Sequence, residues 1–300
     1  MRAVLVLPAA PVPFGDTAAR WFHLLARDLL ARGHQVSCLT VTDESAATLR
    51  EAQDRLAAAA PAGRLRFQAF PLRAPINPVC RKLRSAWRPF SELLYAPGFR
   101  AALRTELARG YDVLHLEQLW SGWAGLGMAR TLLNIHHLEI IDLEDARGGT
   151  LYERKARWQM ARATSRLLRA TPSMRLFSSR LLDRVRTFND SARCFVVPFA
   201  LDLGLYPMQP PVDAPVVGLL GSMHWPPSRS AAERLVTRIC RSCARARRTR
   251  GSSWPDGTRA ATSPAMRPSR ASRSRKTSRA RPTSSRACPC SRTRPVAVAG

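Results

Sequence analysis

Three hundred residues are enough chain for two domains that each bury a core. The formal charge of +27, taken whole, would point to nucleic acid or an anionic membrane, but 16 basic residues and one acidic residue, Asp256, lie between Cys240 and Gly300, and the 239 residues before them carry only +12. Almost all the positive charge is arginine, with lysine only at Lys82, Lys155 and Lys276, which reads as a GC-rich coding sequence rather than selected phosphate contacts, and no apolar run approaches the roughly 20 residues of a spanning helix.

Ala3 to Leu7 is a buried strand, and Pro8 to Gly15 a proline-rich loop. Asp16 caps a helix from Thr17 to Arg32 that buries Trp21, Leu24, Leu25 and Leu29 and stops at Gly33. Gln35 to Val41 returns as a second strand. The unit is βαβ, right-handed and parallel, and it sets Gly15 and Asp16 at the carboxyl edge of the sheet, where open α/β sheets take ligands. Gly15 is either a turn glycine or the place where a phosphate or sugar comes close to the amides of the next helix. Asp43 is expected to cap a second helix running to Ala60, and Leu65 to Phe70 alternates as a strand.

Arg81 to Arg109 reads as one or two helices carrying Trp87, Phe90, Leu93, Leu94, Phe99 and Leu103 among arginines. Such a stripe either contacts a membrane surface or forms the inner face of a surface helix. Tyr111 to Glu117 is a strand; Thr131 to Ile135 is another and runs into His136-His-Leu-Glu139. A polar cluster just past a strand's carboxyl end is where this architecture puts chemistry. Adjacent histidines on extended backbone point to opposite sides, so at most one faces a cleft, and a shared metal site is not expected. Arg154 to Arg169 is a helix, Arg175 to Ser179 a short strand, Ser179 to Thr187 a helix and Cys194 to Val197 a strand. The alternation predicts a Rossmann-like, doubly wound parallel sheet over residues 1–205.

Residues 206–239 form a linker and one further unit. Val216 to Leu220 suits a strand stopped by Gly221, and Ser228 or Ser230 then caps a helix over Ala231 to Ile239. From Cys240 onward there is no Leu, Ile, Phe, Tyr or Glu, so residues 240–300 cannot build a second core. Cys38 and Cys194 sit in strand-like runs as small apolar side chains, which suggests a reducing compartment. The N-terminal apolar run is too short and proline-interrupted for a signal peptide, so the expected location is cytoplasmic, with peripheral membrane contact through the Arg81 to Arg109 stripe as an option.

Taken in order, several motifs resemble a retaining glycosyltransferase of family 4, a GT-B enzyme with two facing Rossmann-like domains. They are the proline-rich loop before Gly15, Asp112-Val-Leu-His115, the strand-to-His136 junction with Glu139, Leu176-Phe-Ser-Ser179, Val196-Val-Pro-Phe-Ala-Leu-Asp202 and Gly221-Ser-Met-His-Trp225. Around Pro198 the chain is similar to that family's "VVPNGVD" linker entry, with Phe199-Ala200 replacing Asn-Gly. Gly221 to Ser228 is similar to the "GSMDWxPN" opening of the donor domain in bacterial exopolysaccharide sugar transferases, with His224 for Asp and Ser228 for Asn. The resemblance implies transfer of a sugar from a nucleotide-diphosphosugar to a saccharide or lipid-linked acceptor with retention, without a metal or other cofactor. It implies a donor and acceptor site around Gly15, Asp16, His136, Glu139, Gly221 and Ser222, with His136 on the donor sugar. The family's basic pair and E-x7-E element are not found in this chain, which has no glutamate after Glu233, so the donor site is expected to be incomplete and the chain inactive.

The tail supports three readings. Arg270 to Arg279 is similar to an arginine-serine segment that holds RNA, which would make the protein a nucleic-acid binder, although nucleic acid is not the expected partner. Cys240-x-x-Cys243 and Cys288-x-Cys290 would need to meet to hold zinc. In the third reading the tail is out of frame. Gly251-Ser-Ser-Trp-Pro-Asp-Gly-Thr258, read from each third base, permits Leu-Leu-Val-Ala-Gly-Trp-Asn, a glycine-terminated strand of the kind that follows the first helix of the second domain.

Overall fold

The computed structural model describes residues 1–72, 88–144, 150–208, 210, 218–221, 223 and 226–240. The chain divides into two compact units, Met1–Met208 and Gln209–Gly300. In the first, seven parallel strands form one sheet in the order β3-β2-β1-β4-β5-β6-β7. They are β1 (Arg2–Leu7), β2 (Gln35–Val41), β3 (Leu65–Phe70), β4 (Val113–Glu117), β5 (Thr131–Ile135), β6 (Ser173–Leu176) and β7 (Arg193–Val196). Among the described residues the helices are α1 (Thr17–Ala31), α2 (Ala46–Ala58), α3 (Phe99–Ala108), α4 (Glu139–Glu144), α5 (Leu151–Ala170) and α6 (Ser179–Arg186), with 3-10 turns at Glu92–Tyr95, Leu119–Ala124 and Leu203–Leu205. The expected Rossmann-like α/β sheet is the fold of this unit.

Side chains of a strand alternate between faces, and the two faces build separate cores. Ala3, Leu5, Leu7, Val36 and Cys38 point toward α1 and α2, where they meet Trp21, Phe22, Ala26, Leu30 and Leu56. Val4, Val6, Leu39, Leu114, Leu116, Leu133, Ile135, Met174 and Leu176 face the other way, onto Phe99 and Leu103 of α3, Leu167 and Leu168 of α5, and Leu181 and Val185 of α6. Cys38 is a wholly buried member of the first core, and burial pushes its thiol up to about 12.

Local chemistry sets the helix ends. Asp16 accepts a hydrogen bond from the Ala19 amide (2.8 Å), and Gly33 follows α1 at φ +77°, a left-handed conformation suited to glycine. The buried stripe of α1 is Ala19, Trp21, Phe22, His23, Ala26 and Leu30; Leu24, Leu25 and Leu29 are only half-buried, so the apolar face is rotated from the one expected. Ser45, not Asp43, caps α2, accepting from the Thr48 amide (3.1 Å), while Glu44 reaches back to the Ala10 amide (3.2 Å). Thr150 and Glu153 close a reciprocal capping box at α5, which begins three residues before the expected Arg154. Residues 73–87 of the Arg81 to Arg109 stretch lie outside the described residues. In the rest of it Leu94, Phe99 and Leu103 are buried and Phe90 and Leu93 pack against the same core, so this part of the stripe is an inner face.

In the second unit the described residues hold α7 (Pro226–Arg234), continued by a wider π turn over Leu235–Cys240. The helix starts ahead of both Ser228 and Ser230, at a proline whose fixed φ and missing N–H suit a first helical position. Gly218 to Leu220 carry no strand, and Val216 and Val217 of the expected strand lie outside the described residues.

Candidate functional site

The sheet order reverses between β1 and β4, and the crevice outside the carboxyl ends of those strands is the position where doubly wound sheets place their chemistry. Glu117, the last residue of β4, stands there with no exposed surface. Its register neighbour on β5 is Asn134, and the neighbour of Asn134 on β6 is Arg175, so pairing alone lays three polar side chains in one row on one face. His115, two residues before Glu117, shares that face.

The Glu117 carboxylate is surrounded by donors. Oε1 accepts from Trp21 Nε1 of α1 (3.1 Å), and Oε2 accepts from Asn134 Nδ2 (2.6 Å) and from His136 Nε2 (2.8 Å). His115 Nε2 lies 2.9 Å from Oε1, at ion-pair distance but out of line for a hydrogen bond. Burial by itself would raise this carboxyl; the adjoining His115 and the hydrogen bond and charge of His136 outweigh it and take it down to about 2. Glu117 is therefore ionised inside the protein.

Asn134 passes the charge along the row, since its Oδ1 accepts from Arg175 Nη1 (3.3 Å). Arg175 is buried, donates from Nη2 to the carbonyls of Val197 and Pro198 (2.9 Å each), and lies 3.9 Å from the centre of the Trp21 ring and 4.5 Å from that of Phe177. Burial pulls the guanidinium below its ordinary value while the Glu117 charge opposes that shift. One anion and one cation thus face each other through an amide and an indole.

Aromatic rings close over the row. Phe199 stacks on Phe177 (centroids 3.5 Å apart), and both stand edge-on to His136 at 5.3 and 4.7 Å, with Phe22 at 5.7 Å. The linker departure of Phe199 from asparagine thus puts a ring on the imidazole. The segment beyond it returns along α1, where Asp202 pairs with Arg27 and the Tyr206 hydroxyl accepts from Arg20 Nη1 (3.1 Å).

His136 sits inside this cluster, its side chain 8% exposed, whereas the side chain of His137 is 53% exposed. Glu139 has other partners: it opens α4, accepts from Trp120 Nε1 (3.1 Å), and Trp120 stacks on Phe90. Gly15 is explained by close packing, because a β-carbon there would come within 2.6 Å of Ala19 Cβ and 2.8 Å of Val12 Cγ2; its carbonyl accepts from Arg20 Nε (2.7 Å). Asp16 is the cap of α1. In the second unit a β-carbon on Gly221 would meet Ser228 Oγ at 2.7 Å, and Ser222 lies outside the described residues.

Glu117, Asn134, Arg175 and the indole N–H of Trp21 are the members that sequence reasoning passed over. A signal was present: each carboxylate, amide or guanidinium interrupts an otherwise apolar parallel strand, and a charged group so placed must be paired.

No protein-family model matches this chain, and neither does any curated protein. Among solved structures the chain is similar to a UDP-glucosyltransferase from Polygonum tinctorium in complex with 3,4-dichloroaniline (TM-score 0.42, 13% identity, 71% of this chain and 55% of that one). It is also similar to a Siraitia grosvenorii transferase in complex with UDP (0.37, 14%, 78% and 55%) and to a Medicago truncatula protein complexed with UDP-glucose (0.42, 13%, 70% and 53%). The chain spans about half the length of these structures.

Proposed function

We propose that residues 1–205 are the acceptor-side domain of a glycosyltransferase that moves a sugar from a nucleotide-diphosphosugar to a saccharide or lipid-linked acceptor. The observation that carries this reading is His136, held by an ionised Glu117 at the carboxyl edge of the sheet beside the topological switch point. The motif order set out above supports it and favours family 4, the exopolysaccharide type and retention of configuration. A lipid-linked acceptor would bring a cytoplasmic protein to a membrane surface; among the described residues no helix is long and apolar enough to cross one.

A diphosphate leaving group needs positive charge or oriented amides to stabilise it. Residues 206–239 contain only the opening of a donor domain around Gly221 and Ser222, and residues 240–300 are read here as the product of a frameshift near Ile239. Resequencing across the codons for Ile239 and Cys240 tests this. Another frame that opens into strands, a basic pair and E-x7-E would give a protein expected to consume nucleotide sugars, with the anomeric configuration of the product read by NMR. If the present frame stands and the others are closed, the proposal fails for this chain. Salt-sensitive RNA binding that disappears on deletion of residues 240–300 would then identify a nucleic-acid binder.

A further inference from the structure

The Glu117 carboxylate offers about four acceptor positions, and Trp21, Asn134 and His136 take three while the His115 imidazole occupies the approach to the fourth. A carboxylate so enclosed, with no exposed surface, has no lone pair to turn toward a substrate. Its effect on chemistry must run through the group it holds.

That group is His136. An ionised carboxylate only accepts, so the ring nitrogen 2.8 Å from Oε2 must carry the proton. The hydrogen bond made by one imidazole nitrogen fixes the state of the other. Asn134 cannot reverse this arrangement: its amide nitrogen is committed to Glu117 and its oxygen to Arg175, so its own orientation is set. The stacked Phe177 and Phe199 rings, with Phe22, pack against the imidazole.

We infer that Glu117 is a positioning residue that locks the uncharged form of His136 as the Nε2–H tautomer, leaving Nδ1 of that form as a hydrogen-bond acceptor for a hydroxyl of the bound sugar. The second half of this statement rests on the glycosyltransferase reading; the first stands on the geometry alone. Asn134, itself held by Arg175, keeps the carboxylate oriented.

Nitrogen-15 spectra of the histidine-labelled full chain, taken above the titration range of imidazole, test it directly. The wild type should show His136 Nε2 as the protonated nitrogen and Nδ1 as the bare one, in a single population. Glu117→Gln nearly preserves shape but can donate as well as accept, and should convert that population into a mixture of tautomers while far-UV circular dichroism stays unchanged. A wild-type proton on Nδ1, or an E117Q spectrum with the same single tautomer, overturns the inference; the wild-type measurement decides even if the variant does not fold. Titration with glucose, a sugar that needs no diphosphate site, separates the two halves in the same spectra. A shift at Nδ1 supports the sugar contact, whereas a locked tautomer without that shift overturns the sugar role of His136 and leaves the control by Glu117 in place.

Discussion

Strands β4, β5 and β6 present two faces made of alternate residues, and the faces differ in kind. One carries Leu114, Leu116, Leu133, Ile135, Met174 and Leu176, all buried against helices. The other carries Glu117, Asn134 and Arg175, also buried but held by directed hydrogen bonds, with His115 at ion-pair distance from Glu117. The same backbone supplies both because side-chain period two sorts neighbours to opposite sides. The aliphatic face is held by area and shape, so its losses are local and graded. The polar face is held by mutual satisfaction, so removal of one member leaves several others unpaired.

The comparison predicts different responses. Glu117→Ala strands three donors and the buried Arg175 charge together, and should lower unfolding free energy by about 4 kcal/mol in urea titration. A loss under 1 kcal/mol would show that the polar face contributes little. Leu133→Ala on the aliphatic face should cost about 3 kcal/mol through a cavity, without altering the His136 tautomer, and a change in that tautomer would mean the faces are coupled.

Acid should act on one face alone. The Glu117 carboxyl lies at about 2 when folded against an ordinary 4.5. Its stabilisation is therefore complete above the unfolded value and is lost as pH falls from 4.5 toward 2, a difference of about 2 kcal/mol between pH 6 and pH 3. Subtracting the same profile for E117Q isolates this contribution, and parallel profiles would contradict it. The smallest effect is the baseline away from both faces: Thr150→Ala removes the exposed capping box of α5 and should cost about 1 kcal/mol in the same assay.

Much of the sheet was readable from the pattern, because apolar runs such as Ala3 to Leu7 have few alternative placements. The candidate site was readable only at His136, which stands just past a strand. Glu117, Asn134 and Arg175 are 17 and 41 residues apart in successive steps along the chain, and only the register of β4 on β5 and β5 on β6 brings them together. The close packing at Gly15 was not readable, because the contacts of a β-carbon that is not there leave no mark on the sequence.

The central place of β1 has a consequence for how the chain assembles. β1, β2 and β3 can pair through short crossovers as soon as they are made, but β4 joins the exposed side of β1 across more than a hundred residues, through pairs such as Ala3 with Val113 and Val6 with Leu116. Such long loop closures are slow and come late. Glu117 receives one donor, Trp21, from the early half and the others, Asn134 and His136, from the late half. The carboxylate is thus a latch across the seam, fully bonded only once both halves of the sheet have met.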